Sequence, residues 1–167
     1  MSKVLVFGHQ NPDNDAVMSA VVLAQLLNQV EFNGCTYEAR ALGPLPAESA
    51  KLLADAGLPE PMLLDAIEPA AEGEDPQQVI LTDHNEPGQS VAGLANAQIV
   101  GVVDHHRFGD FTTAAPLTIV AMPGGSSCTV VAKLFEVLGQ ELTDTQAKLL
   151  LSAMMTDTLM LKSPTTT

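Results

Sequence analysis

The chain has 167 residues, of which 20 are acidic and 7 are Lys or Arg, so its formal net charge at pH 7 is −13. This length suits a single domain that folds without disulfides or a structural metal. The acidic balance argues against nucleic acid or an anionic membrane surface as a partner, and with two cysteines and no recognisable signal peptide the chain is expected to be cytoplasmic.

Short apolar runs alternate with helical patterns, as in an α/β domain with a mostly parallel sheet. We predict five strands flanked by helices, with an acidic, solvated connector at Asp65–Pro76. The predicted elements, in chain order, are the strand Lys3–Phe7, the helix Asp15–Gln29, the strand Thr36–Leu42, the helix Ala47–Ala56, the strand Val79–Thr82, a short helix Ser90–Ala95, the strands Ile99–Val103 and Leu117–Met122, and the helices Ser127–Leu138 and Asp144–Thr156.

All four histidines follow the carboxyl end of a predicted strand, each with an aspartate beside it or a few residues away. Ligands of open parallel sheets bind at this edge, in the crevice outside the strand ends. The residues expected to converge there are His9, Asp13, Asp15, Asp83, Asp104, His105 and His106.

Carboxylates packed this closely repel one another, and a divalent cation removes that penalty. Mixed Asp and His ligands without thiolates suit Mn²⁺, Fe²⁺, Co²⁺ or Zn²⁺. The number of carboxylates exceeds what one ion needs, which favours two ions about 3.5–4 Å apart, an arrangement used in phosphoryl hydrolysis. Such a site would also let so acidic a protein hold a phosphate.

Simpler interpretations exist for each part of this pattern. Asp13 and Asp15 are typical helix-capping residues, and His84-Asn85 can satisfy backbone groups in a turn. The segment 124–127 before a predicted helix can hold an anion, although a loop with an N-cap is the more ordinary interpretation. Asp157 stands at a helix C-terminus, where an acid opposes the helix dipole and needs another reason.

Four motifs together resemble the manganese-dependent (family II) inorganic pyrophosphatases of the DHH phosphoesterase superfamily. They are Gly8-His9-Gln10-Asn11-Pro12-Asp13-Asn14-Asp15, Thr82-Asp83-His84-Asn85-Glu86, Asp104-His105-His106-Arg107, and Ser152–Asp157 with Lys162-Ser163-Pro164-Thr165. The resemblance runs the length of the chain and implies the N-terminal DHH domain fold.

The resemblance also implies roles for individual residues. His9 and Asp13 match the ligands of one metal, His105, Asp15 and Asp157 match those of the other, and Asp83 matches the bridging carboxylate. His106 matches the group that contacts the substrate phosphate and serves in acid catalysis, with Asp104 as its support and Arg107 beside it as a second substrate-binding residue. The implied cofactors are two Mn²⁺, with Co²⁺ as a substitute and Mg²⁺ bound with the substrate pyrophosphate.

Members of that family carry a second domain after the fourth motif, which clamps pyrophosphate with Lys and Arg. Residues 1–167 are therefore expected to form the metal-binding catalytic domain without that clamp, and hydrolysis is expected to be impaired. The family also forms homodimers through an edge strand, for which Leu117–Met122 is the candidate here. Two alternatives stay open: another DHH phosphoesterase, acting on polyphosphate, short oligonucleotides or a cyclic dinucleotide, and a metal-binding dimerisation module without activity.

Overall fold

The computed structural model describes residues 2–164 and Thr166. Its strands are β1 (Lys3–Phe7), β2 (Thr36–Ala41), β3 (Met62–Leu63), β4 (Gln78–Thr82), β5 (Gln98–Asp104) and β6 (Thr118–Ala121). Its α-helices are α1 (Asn14–Gln29), α2 (Ala47–Asp55), α3 (Ser127–Val137) and α4 (Asp144–Asp157). Thr165, which ends the fourth motif, lies outside the described residues.

The strands form one parallel sheet in the order β3-β2-β1-β4-β5-β6. This confirms the predicted α/β class, but the predicted number of five strands is wrong by one, because β3 has only two residues and is too short to give a strand pattern. The chain adds strands on one side of β1 and then returns to add β4, β5 and β6 on the other side. The gap between β1 and β4 is thus the topological switch point, where ligands of such sheets bind.

The two faces of the sheet are covered differently. Alternate side chains of β1 and β4, including Val4, Val6 and Ile80, join buried residues of all four α-helices in one core. The opposite side chains, including Leu5 and Phe7, pack under irregular segments that connect the later strands. Right-handed crossovers account for this, because they change face when the direction of strand addition reverses.

Two sequence expectations for these irregular segments are corrected. The predicted helix Ser90–Ala95 is wrong: the chain forms two 3₁₀ turns, Pro87–Gln89 and Leu94–Asn96. Gly93 lies between them at a φ of 73°, and a Cβ there would lie 2.2 Å from the Ile67 carbonyl oxygen. The left-handed backbone at Gly93 interrupts any regular helix, and the close approach explains why this residue is glycine.

The predicted connector Asp65–Pro76 has its five acids exposed, as expected. It is not solvated throughout, because Ile67 is buried in the second core and its N–H donates to the Ala92 carbonyl over 2.9 Å. In the part of the chain that the structure describes, no helix is both long and apolar enough to cross a membrane.

Candidate metal centre

Acidic and imidazole side chains gather at the carboxyl edge of the sheet, around the switch point. His9 follows β1 and Asp83 follows β4, so the two residues leave neighbouring strands. Asp104 ends β5 and is followed by His105 and His106. The N-terminus of α1 supplies Asp13 and Asp15 to the site, and Asp157 is the last residue of α4.

The close approach of α1 to β1 brings its first turn into the site. A Cβ on Gly8 would lie 2.5 Å from the Ala16 Cβ, so only glycine allows this packing. Asp13 is the N-cap of α1, and its Oδ1 accepts from the Ala16 N–H over 2.9 Å. Its second oxygen, Oδ2, lies 3.5 Å from His9 Nε2. Capping and metal ligation are thus compatible roles for Asp13.

Asp15 is not a capping residue, since it is completely buried against the N-terminus of α3. Its carboxylate accepts from the Ser126 hydroxyl at 2.7 Å, the Ser127 N–H at 2.6 Å and the Cys128 N–H at 2.9 Å. The segment 124–127 therefore does hold an anion, and that anion is Asp15. A helix N-terminus stabilises a carboxylate in this position through free N–H groups and the helix dipole.

Asp83 presents one oxygen to each half of the site. Its Oδ2 lies 3.4 Å from His9 Nε2, and its Oδ1 lies 3.3 Å from His105 Nε2. The Ser127 hydroxyl donates to Oδ1 over 2.9 Å. The backbone of Asp83 is left-handed, with φ 59°, and such backbone strain is characteristic of functional sites.

The ligand atoms form three overlapping groups within which every atom lies within 4.8 Å of the others. The groups are His9, Asp13 and Asp83; Asp15, His105 and Asp157; and Asp83, His105 and His106. The structure thus places all six expected metal ligands in two adjoining groups, with Asp83 also facing the second. Oxygen and imidazole nitrogen ligands without a thiolate fit Mn²⁺.

The charges of the site depend strongly on one another. Hydrogen bonds to Asp13 and Asp83 raise the pKa of His9 to about 11. Burial alone would lower the pKa of His105, but its contact with Asp83 raises it to about 9. The same two histidines hold the pKa of buried Asp83 well below its usual value.

Two other carboxylates, Asp15 and Asp157, hold protons more readily than usual. Burial and the charge of Asp83 raise the pKa of Asp157 to about 6, and burial also raises that of Asp15. Such a spread of pKa values is expected when carboxylates are packed together without cations.

His106 lies at the edge of the second half of the site. Its Nδ1 lies 2.9 Å from Asp104 Oδ1, which leaves Nε2 for a ligand. Burial alone would raise the pKa of Asp104, but its bonds to His106 and Asn85 lower it. Asp104 is completely buried, contacts His106 and belongs to none of the three groups found among the described residues.

Two other residues of the motifs lie outside the metal groups. Arg107 has a side chain that is 90% exposed and lies 3.8 Å from Glu86, so the structure does not bring it to the metal groups. His84 is buried and bonded at both ring nitrogens, to the Thr82 carbonyl and the Ser90 hydroxyl. The turn interpretation therefore holds for His84.

An open cavity of about 560 Å³ lies over the metal groups. Besides five of the expected metal ligands and His106, its lining includes Gly125 of the segment 124–127 and four residues to which the sequence analysis assigned no role, Gln10, Asn11, Gly88 and Gln89. No lysine or arginine is among the described residues that line it. The cavity can hold a small anion. The imidazoles of His9 and His105 that line it are already in contact with Asp13 and Asp83, so the further positive charge that an anion requires must come from metal ions or from outside these residues.

Sequences of known proteins are similar to nearly the whole of this chain. The DHH family, N-terminal domain, matches residues 3–159. Two proteins of Streptococcus agalactiae strains, named probable manganese-dependent inorganic pyrophosphatase, are each 45% identical over 166 residues, which is 99% of this chain and 51% of theirs. The chain spans about half the length of these relatives.

Solved structures show similar folds. One from Methanococcus jannaschii, named putative family II inorganic pyrophosphatase, has a TM-score of 0.81 and 37% identity over 98% of this chain and 51% of its own. An exopolyphosphatase-related protein of Bacteroides fragilis has a TM-score of 0.72 over 99% of this chain and 48% of its own. At 19% identity the latter supports the fold alone.

Proposed function

Because the chain belongs to the DHH family, whose N-terminal domain it matches, we propose that it is the metal-binding half of a manganese-dependent inorganic pyrophosphatase. The observation that carries the proposal is the placing of Asp83 between two ligand groups, with one carboxylate oxygen toward His9 and the other toward His105. A carboxylate so placed suits two cations, and two cations suit a diphosphate.

In the proposed site, His9, Asp13 and Asp83 would hold one Mn²⁺, and Asp15, His105 and Asp157, together with Asp83, would hold the second. When bound, the ions supply the positive charge that neutralises the diphosphate and acidifies a water molecule. Co²⁺ as a replacement and Mg²⁺ entering with the substrate are parts of the same proposal.

The chain's own residues orient the substrate and supply a proton. His106 lines the cavity and its Nδ1 contacts Asp104, which supports a role for His106 in donating a proton to a phosphate oxygen. Because the described lining contains no lysine or arginine, we propose that efficient turnover needs cationic side chains from outside these 167 residues, and that turnover by this chain is slow. Arg107 would have to leave Glu86 to contribute.

Two further features belong to the proposal. The strand β6 is an exposed edge, and pairing of two such edges would give a homodimer. Cys35 and Cys128 are free thiols, which is compatible with the reducing cytoplasm.

The test is a Mn²⁺ titration in which hydrolysis of pyrophosphate, polyphosphate, a short oligonucleotide and a cyclic dinucleotide is assayed on the same sample. We expect two Mn²⁺ per chain and slow turnover that prefers pyrophosphate. The matched variant is Asp83→Asn, because asparagine tolerates the left-handed backbone of this position. It should weaken both Mn²⁺-binding steps at least about tenfold, because loss of a residue that merely orients a metal ligand already costs about 10- to 100-fold in affinity.

The other outcomes are distinct. Preference for one of the longer or cyclic substrates would assign the site to another DHH phosphoesterase. Two Mn²⁺ without turnover of any substrate would leave a metal-binding module. Absence of Mn²⁺ binding, or a single binding step that Asp83→Asn leaves unchanged, would overturn the site.

A further inference from the structure

The buried side chain of Asn85 is directed entirely at the segment that carries His106. Its Nδ2 donates to Asp104 Oδ2 at 2.7 Å and to the Arg107 carbonyl at 2.9 Å. Its Oδ1 accepts from the Gly109 N–H at 3.0 Å. Because the amide nitrogen has two acceptors and the amide oxygen has one donor, the orientation of the Asn85 carboxamide is fixed.

Asp104 transmits this arrangement to His106. Its Oδ1 accepts from the His105 and His106 N–H groups at 2.8 and 3.1 Å, and its contact with His106 Nδ1 is 2.9 Å. Its Oδ2 accepts from Asn85. The bond from Asn85 therefore sets how the carboxylate is rotated, and the carboxylate sets how the imidazole is rotated.

We propose that Asn85 is a positioning residue for His106, acting through Asp104 and through the backbone of residues 107–109. The inference rests on the proposed function, in which His106 meets the substrate phosphate. Without Asn85, a completely buried carboxylate loses a donor, and the segment after β5 loses two of its anchors. His106 then has more than one orientation, while the metal ligands His9, Asp13, Asp15 and Asp157 have no bond to Asn85 to lose.

A purely structural role for Asn85 predicts something different. In that case its removal would lower the stability of the fold without a specific effect at His106. A matched control is Asn28, whose carboxamide makes two hydrogen bonds of 2.8 Å to the Tyr37 backbone on β2. Asn28→Ala removes a comparable clamp away from the site.

The first measurement is the His106 Nδ1–H signal in ¹H–¹⁵N NMR spectra of the metal-free protein at one fixed pH. We expect the signal to be lost or strongly shifted in Asn85→Ala and in the isosteric Asn85→Asp, and to be unchanged in Asn28→Ala. An unchanged signal in a folded Asn85 variant would overturn the proposal. If neither variant folds, hydrogen exchange of the unsubstituted protein decides: a Gly109 amide that exchanges as fast as an exposed loop excludes the clamp.

The second measurement compares metal binding with turnover of pyrophosphate. We expect Asn85→Ala to keep the Mn²⁺ stoichiometry and to lower kcat about 10- to 100-fold, the range for loss of an outer partner. Loss of Mn²⁺ binding in parallel with kcat would identify a structural role instead. If the unsubstituted protein does not hydrolyse pyrophosphate, the proposed function fails, while the NMR measurement still decides the role of Asn85.

Discussion

Protons and metal ions compete for the same side chains in this site. An imidazole binds a metal only through an unprotonated nitrogen, yet the pKa of His9 is about 11 and that of His105 is about 9. Each of these histidines belongs to a different one of the two proposed metal sites. Near pH 8, each therefore carries a proton that a metal must displace.

We predict that loading both sites at pH 8 releases about two protons per chain, one from each histidine. Affinity for Mn²⁺ should rise with pH in this range, because removing the proton from each histidine costs less free energy as the pH approaches the pKa of that histidine. Below about pH 6, Asp157, whose pKa is about 6, takes up a further proton, and binding should weaken more steeply. Calorimetric titrations in two buffers of different ionisation enthalpy measure the protons released; binding without proton release would contradict the protonation states described here.

Sequence reasoning found the residues whose chemistry is unusual for their position. Histidines and aspartates after strand ends are informative, because each strand end of a parallel sheet reaches the same edge. Asn85 gave no comparable signal, since asparagine after a strand is ordinary turn chemistry and its partners are 19 to 24 residues away. Arg107 shows the opposite difficulty: adjacency to His106 in sequence does not determine where a long side chain points.

At the level of elements, α3 contributes to the site through its N-terminus alone. The Ser126 hydroxyl donates to Asp15 and also accepts from the Cys128 N–H, so one side chain caps the helix and holds a proposed ligand. The N-cap of α4, Thr143, forms a capping box with Gln146 away from the site. The two caps allow the stability of a helix to be separated from the orientation of Asp15.

We predict that Ser126→Ala and Thr143→Ala each lower the free energy of unfolding by about 1 kcal/mol, the usual cost of losing an N-cap. Only Ser126→Ala should weaken Mn²⁺ binding, by about 10- to 100-fold, because it removes a bond that orients Asp15. Denaturant unfolding of the metal-free proteins and Mn²⁺ titrations measure the two effects. Equal Mn²⁺ affinity in the two variants would mean that the backbone N–H groups alone suffice to orient Asp15.

Regular elements could be predicted where the sequence pattern was strong. The predictions failed where tertiary contacts determine the local backbone conformation. β1 has the predicted bounds, and α1 begins one residue early at Asn14. β3 could not be predicted, because two exposed residues form a strand only through pairing with Arg40 and Ala41. The segment around Gly93 follows its contact with Ile67, which no local pattern reveals.

For the whole molecule, the strand order leaves two edges of different quality. β3 presents two residues, whereas β6 presents four, including Ile119 with 47% of its surface exposed. The outer edge of a four-residue strand such as β6 can pair with a strand of a second chain, whereas a two-residue strand offers too few backbone groups to do so. Association must overcome the repulsion between two chains that each carry a charge of −13.

We predict that the protein is a dimer at moderate ionic strength, where charges more than about 8 Å apart are screened, and that low salt favours the monomer. Ile119→Lys should give a monomer, because it adds a charge to the edge where the chains would pair. Met62→Lys, a matched change on the β3 edge, should leave the dimer intact. Sedimentation velocity with and without Mn²⁺ measures the oligomeric state. A monomeric parent under both conditions would refute the dimer, and dissociation by Met62→Lys alone would move the interface to the other edge of the sheet.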